Sequence, residues 1–271
     1  MAIDLTPLLD FRQPAQTEQR LRDALQGASA DDQLILQTQI ARTHGLRRDF
    51  AAARALLGTL KPQLAQASAE AQVRWQLEWG RSWSSAAHDS ASQTPEAREQ
   101  ARQAYQSALD IARKSQLDGL AVDALHMMAF VDTAPADQLR WDEQALALIE
   151  ASSQPAAKKW EASIRNNTGY ALHTLGRYPQ ALAQFERALS LREQAGDASA
   201  TRAARWMVAW TLRALKREDE ALALQQRLER ECEAAGEPDE YVFEELEILH
   251  RARGDEKAAA HYAALRKALV R

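Results

Sequence analysis

The sequence predicts an all-α protein built from antiparallel helix pairs stacked one against the next, and three observations lead there. Gly and Pro number only 10 and 8 in 271 residues, while Ala, Leu, Gln, Glu and Arg dominate, a bias that favours helix throughout. No sustained alternation of β-branched residues marks a strand. A pattern of small and large apolar residues recurs along the chain. It is clearest over Ser163–Glu193 (SIRNNTGYALHTLGRYPQALAQFERALSLRE), which reads as two amphipathic helices joined at Gly176-Arg177-Tyr178. A single pair of this kind cannot bury both of its apolar faces, so neighbouring pairs must stack.

Residues 1–30 form a lead-in and a capping helix over Thr17–Gln26, with Leu21, Ala24 and Leu25 on one face. The first pair, 31–66, opens at Asp31 or Asp32 as N-cap, runs to His44, and resumes from Phe50 until just before Pro62. The second pair, 69–115, carries Trp75, Trp79 and Trp83 on one helix face and reads as core. Its polar stretch Ser84–Thr94 is longer than a turn requires, and such an insertion is either surface variation or a binding lid. Pro95 starts the following helix. The third pair, 117–153, comprises Leu120–Val131 and Ala136–Ile149, split by Asp132-Thr-Ala-Pro135. The clear pair is 160–196. After it come 201–235 (Thr201–Leu215, Glu218–Ala234) and 239–271 (Glu240–Ala252, Lys257–Val270).

Alanines at 53, 101, 181, 221 and 259 hold equivalent places, separated by about 40 residues or a multiple of that interval. With Gly169, Leu172, Tyr178, Ala181, Phe185 and Ala188, this pattern resembles the tetratricopeptide repeat family. The long interval is similar to its kinesin light chain and bacterial peptide-receptor branches. The resemblance covers nearly the whole chain and implies a single array, 1–271, of about six repeats wound as a right-handed superhelical solenoid. It further implies that the first helix of each pair lines a concave groove and that Gly169 permits close helix approach. A bulky residue at Gly169 is expected to cost more than about 1 kcal/mol by overpacking.

Composition narrows the function. A net charge of −4, with both signs interspersed, provides no basic face for nucleic acid. Arg47-Arg48 and Lys158-Lys159 read as solvated helix ends. One cysteine, Cys232, excludes an internal disulfide and fits a reducing compartment. The N-terminal stretch lacks the form of a secretory signal, and no apolar run is long enough to span a membrane, so the expected location is cytoplasmic. The six histidines have no metal-site spacing. Neither a phosphate loop nor a nucleophile elbow appears, and Glu244, Glu245 and Glu247 read as a solvated face. No catalytic residue, metal or cofactor is assigned, and the chain is expected not to be an enzyme.

The family register gives groove-facing residues: Thr38, Gln39 and Arg42; Glu78 and Arg81; Asp123 and Met127; Asn166, Asn167, Tyr170 and His173; Trp206, Trp210 and Arg213; and Glu244, Ile248 and Arg251. The ligand-binding candidates are Arg81, Met127, Asn166, Asn167, Tyr170, His173, Trp206, Trp210 and Arg213. A carboxamide both donates and accepts, so the resemblance implies that Asn167 grips a peptide backbone, and bonding between repeats is the alternative. Trp206 and Trp210 lie either in the groove beside Tyr170 or in the core. The expected partner is a protein or peptide, bound extended or as a helix, with no nucleic acid and no membrane. Two alternatives stay open: a self-associating scaffold (a homo-oligomer), and a peptide-sensing regulatory protein.

Overall fold

The structure is a computed structural model that describes residues 3–269. Met1 and Ala2 of the predicted lead-in, and Val270 and Arg271 at the end of the sixth pair, lie outside the described residues. The chain divides after Trp160 into two compact units. All regular structure among the described residues is helical.

The first unit contains α1 (Pro14–Ala24), α2 (Ala30–Leu46), α3 (Phe50–Leu60), α4 (Ala69–Trp83), α5 (Pro95–Lys114), α6 (Asp118–Val131), α7 (Pro135–Ala151) and the one-turn α8 (Pro155–Lys158). The second contains α9 (Glu161–Thr174), α10 (Tyr178–Ala195), α11 (Ala198–Ala214), α12 (Glu218–Ala235), α13 (Glu240–Ala252) and α14 (Glu256–Leu269). Within each unit the helices pack mainly on their neighbours in sequence, as an array of helix pairs requires.

Close approach inside a pair depends on a missing side chain. A Cβ at Gly169 on α9 would sit 2.7 Å from the Phe185 ring on α10, and one at Gly80 on α4 would press still closer on Tyr105 of α5. Phe185 and Tyr105 are fully buried, so both rings occupy the space that glycine leaves. The segment joining α4 to α5 is much longer than the turn between α9 and α10, yet the Gly–aromatic contact is preserved. The extra residues are therefore looped out between the two helices.

The helix starts differ in places from the sequence reading. Ser29, rather than Asp31 or Asp32, caps α2 by accepting the Asp32 amide. Asp31 instead accepts the Ser68 amide at 2.7 Å. Pro135 begins α7 rather than breaking the chain before it, because proline lacks an N–H that the first turn could not have used. Asp197 caps α11, so that helix starts three residues before Thr201. Pro62 sits in a 3₁₀ turn, Lys61–Gln66, that follows α3. The Trp75 indole N–H donates to the Leu57 carbonyl at 2.8 Å and the ring is buried. Trp79 is half-buried against the same core.

Glu245 and Glu247 are not a solvated face. Both are buried; Glu245 meets Arg213, and Glu247 meets Arg251 at 2.9 Å and Arg266 at 3.3 Å. An arginine from α11 thus compensates Glu245, and arginines from α13 and α14 compensate Glu247. Lys158 is not simply solvated either: its Nζ donates to the Ile149 carbonyl at 2.6 Å, near the end of α7.

Candidate functional site

In the second unit, α9, α11 and α13 are the first helices of successive pairs, and their aromatic residues form one continuous group. The Tyr170 ring stacks on Trp210 with centroids 6.0 Å apart, and Trp210 stacks on Trp206 at 5.6 Å. His173 also stacks on Trp210, with centroids 3.3 Å apart, and Tyr178 meets His173 edge-on at 4.9 Å. Tyr241, in the first turn of α13, closes the row against Trp206 at 6.1 Å. The helical spacing of four places Trp206 and Trp210 one turn apart on α11, while His173 follows Tyr170 by three on α9. Two rings stay open to solvent: Tyr170 is 51% exposed and Tyr241 57% exposed. Trp206 and Trp210 are half-buried between them.

The electrostatics around this row are settled from within. Arg213 donates both Nε and Nη2 to the Glu245 carboxylate at 2.7 Å, a bidentate pair. That side of its guanidinium is occupied by the chain itself. Burial, and secondarily the nearby Arg213 charge, lower the pKa of His173 to about 4, so its imidazole is neutral at physiological pH. Arg205 is buried on α11, held by Glu193 at 2.8 Å and by Glu231, and is a structural cation. Asn166 and Asn167 are half-buried one turn before Tyr170 on α9.

Sequence reasoning therefore named four members of the aromatic group, Tyr170, His173, Trp206 and Trp210, and the structure brings them together. It missed Tyr241. The signal was present: an aromatic residue one repeat beyond Trp206, at the entry of the next first helix.

The candidates in the first unit have a different setting. Arg81 lies between Glu78, at 2.6 Å, and Asp123, while Arg42 reaches Glu78 at 3.1 Å. Two arginines and two carboxylates thus form a closed ion network across α2, α4 and α6. Within it the two carboxylates outweigh burial and hold Arg81 more firmly protonated, while Arg81 and Arg42 lower the Asp123 pKa despite burial. Thr38, Gln39, Glu78, Asp123 and Met127 are each largely buried, and Gln39, Glu78 and Asp123 line a concavity together with Arg42 and Arg81.

The described residues contain no group of His, Cys, Asp and Glu able to hold a metal ion. No helix among them is long and apolar enough to cross a membrane.

Known proteins match the fold. Residues 160–230 match the family model described as tetratricopeptide repeat. No curated protein matches the chain in sequence. Among solved structures, the apo form of RapI is similar with a TM-score of 0.70 and 12% identity, over 93% of this chain and 69% of that one. A Rap protein complexed with Competence and Sporulation Factor gives 0.55 and 15%, over 96% and 74%. A Podosopora anserina putative kinesin light chain with nearly identical TPR-like repeats gives 0.57 and 14%, over 77% and 99%. At such identities the likeness is one of fold. Residues 160–230 belong to the tetratricopeptide repeat family, and the chain takes that family's all-α fold of packed helix pairs.

Proposed function

We propose that the chain is a non-enzymatic interaction module and that the aromatic row of the second unit is where it binds an extended peptide or a partner's helix. The observation that carries this reading is the row itself: Tyr170 and Tyr241 exposed at its ends, Trp206 and Trp210 half-buried between them. Large aromatic side chains with polar tips bury much area on binding and lose little rotamer entropy, which is why they concentrate binding energy. An isolated exposed ring is ordinary, whereas a continuous group across three successive first helices is a patch. The Rap structure containing Competence and Sporulation Factor supports the class of activity by fold alone. Asn166 and Asn167 lie next to the row and are proposed to bond a partner's backbone amides. Arg213 is already paired with Glu245, so no acidic group of the partner is assigned to it.

The test is affinity capture from lysate of the source cell, repeated with Trp206→Ala, Tyr241→Ala and Asn167→Ala. Trp206→Ala and Tyr241→Ala are expected to abolish capture of whatever the native chain retains, with circular dichroism unchanged. Asn167→Ala should weaken it. Equal capture by all three variants, each with native helicity, would overturn the site.

A further inference from the structure

We infer that the first unit carries a second, separate binding site: a cavity, walled on one side by the Ser84–Thr94 insertion, for a small uncharged apolar molecule. The cavity has a volume of about 250 Å³ and lies among α2, the start of α3, α4 and α6. That is just below the range of about 300–1,000 Å³ typical of small-molecule pockets, so it fits a compact ligand. Its apolar lining comes from Phe50, Met127 and Phe130, with Leu46 and Ala53 beside them.

The insertion is a built wall. Ser85, Ala86 and Ala87 line the cavity directly. His88 stacks on Phe50 with centroids 3.6 Å apart and an interplanar angle of 13°, fixing the insertion to the first turn of α3. The Ser85 hydroxyl lies 3.0 Å from His88 Nδ1. The Ser84 carbonyl, at the root of the insertion, accepts the Tyr105 hydroxyl at 2.8 Å. Remove these residues and the space between α2 and α4 opens on that side.

The ligand's charge follows from the polar lining. Arg42, Glu78 and Arg81 reach the cavity, and their network, completed by Asp123, contains equal numbers of cations and anions already paired with one another. His126, the remaining titratable group lining it, has its pKa lowered chiefly by burial, which favours the uncharged imidazole. A carboxylate or ammonium entering here finds no uncompensated counter-charge and must leave its water behind, which is unfavourable. An uncharged apolar body loses nothing of that kind and covers the Phe50, Met127 and Phe130 surfaces.

Isothermal titration calorimetry of the full chain with 1-hexanol, hexanoate and hexylammonium at pH 7 tests the inference. Hexanol is expected to bind, and both ionised analogues to bind at least about tenfold more weakly. Gly45 also lines the cavity, and a Cβ there would meet nothing nearer than Phe50 at 4.0 Å. Gly45→Leu is therefore expected to fill the space and abolish hexanol binding with helicity intact. His88→Ala, which releases the wall, is expected to weaken hexanol binding. Absence of hexanol binding to the native chain, tighter binding of either ion, or native affinity in a folded Gly45→Leu variant overturns the inference. Should Gly45→Leu fail to fold, undiminished binding by His88→Ala overturns it instead. Because the row of the second unit is untouched in both variants, this result is independent of partner capture there.

Discussion

Asp142 is the residue whose placement has the sharpest thermodynamic consequence. It is buried on α7, 1% exposed, and its Oδ1 has no hydrogen-bond partner among the described residues. Desolvation alone raises its pKa to about 7. A carboxyl with a raised folded-state pKa binds its proton more tightly folded than unfolded. Stability is therefore lost as pH rises from the unfolded value near 4 through about 7, and is then constant. Asp142→Asn keeps the shape and cannot ionise. Relative to the native chain it should gain stability at pH 8 over pH 5 by roughly 1–3 kcal/mol, read by urea denaturation at both values. An equal difference at the two pH values would show that Asp142 does not titrate in the folded state. Nothing in the one-letter pattern distinguishes this aspartate from the solvated acids around it, since its burial depends on the exact rotation of α7. Glu245 and Glu247 were misread for the same reason: a run of glutamates looks solvated until the facing arginines from other helices are in place.

At the scale of the helix pair, the turn between the two helices has one demanding position. Gly176 has φ of 72° in the turn from α9 to α10, and the equivalent residue between α11 and α12 is Lys216, with φ of 63°. Each is followed by an arginine whose amide donates to a leucine carbonyl one turn back, Arg177 to Leu172 and Arg217 to Leu212, both at 2.9 Å. A side chain in this left-handed region costs about 1 kcal/mol that glycine avoids, partly offset by glycine's freer unfolded chain. Lys216→Gly should accordingly raise stability by about 0.5–1 kcal/mol in thermal or urea unfolding, and a loss of stability would refute the account. The turn at Gly176 was legible because glycine announces it. The same turn at Lys216 was legible only from its place between two amphipathic segments. Helix pairing was readable from the small-and-large pattern, as the Gly169–Phe185 contact shows, and the Gly80–Tyr105 contact joins partners that the insertion separates in sequence.

Stacked pairs also determine how stability is spread through the whole molecule. In a repeat array each helix is stabilised mainly by its immediate neighbours, so unfolding need not be all-or-none. Helix α6 is buried along most of its length, from Gly119 through Val131, and packs on α5, α7 and α8. Helix α14 has Ala259 as its one buried residue among those described, and packs chiefly on α13. Local opening follows the apolar surface that must be exposed. Amide hydrogen exchange should therefore be slowest in α6 and fastest among the long helices in α14, with the difference reaching several orders of magnitude in protection. The predicted helices of the two regions have similar lengths, but Leu120–Val131 is the more apolar in sequence, and the gradient follows because α6 packs on several helices while α14 packs chiefly on one. Comparable protection in α6 and α14 would mean that the terminal helix is held by something other than its packing on α13.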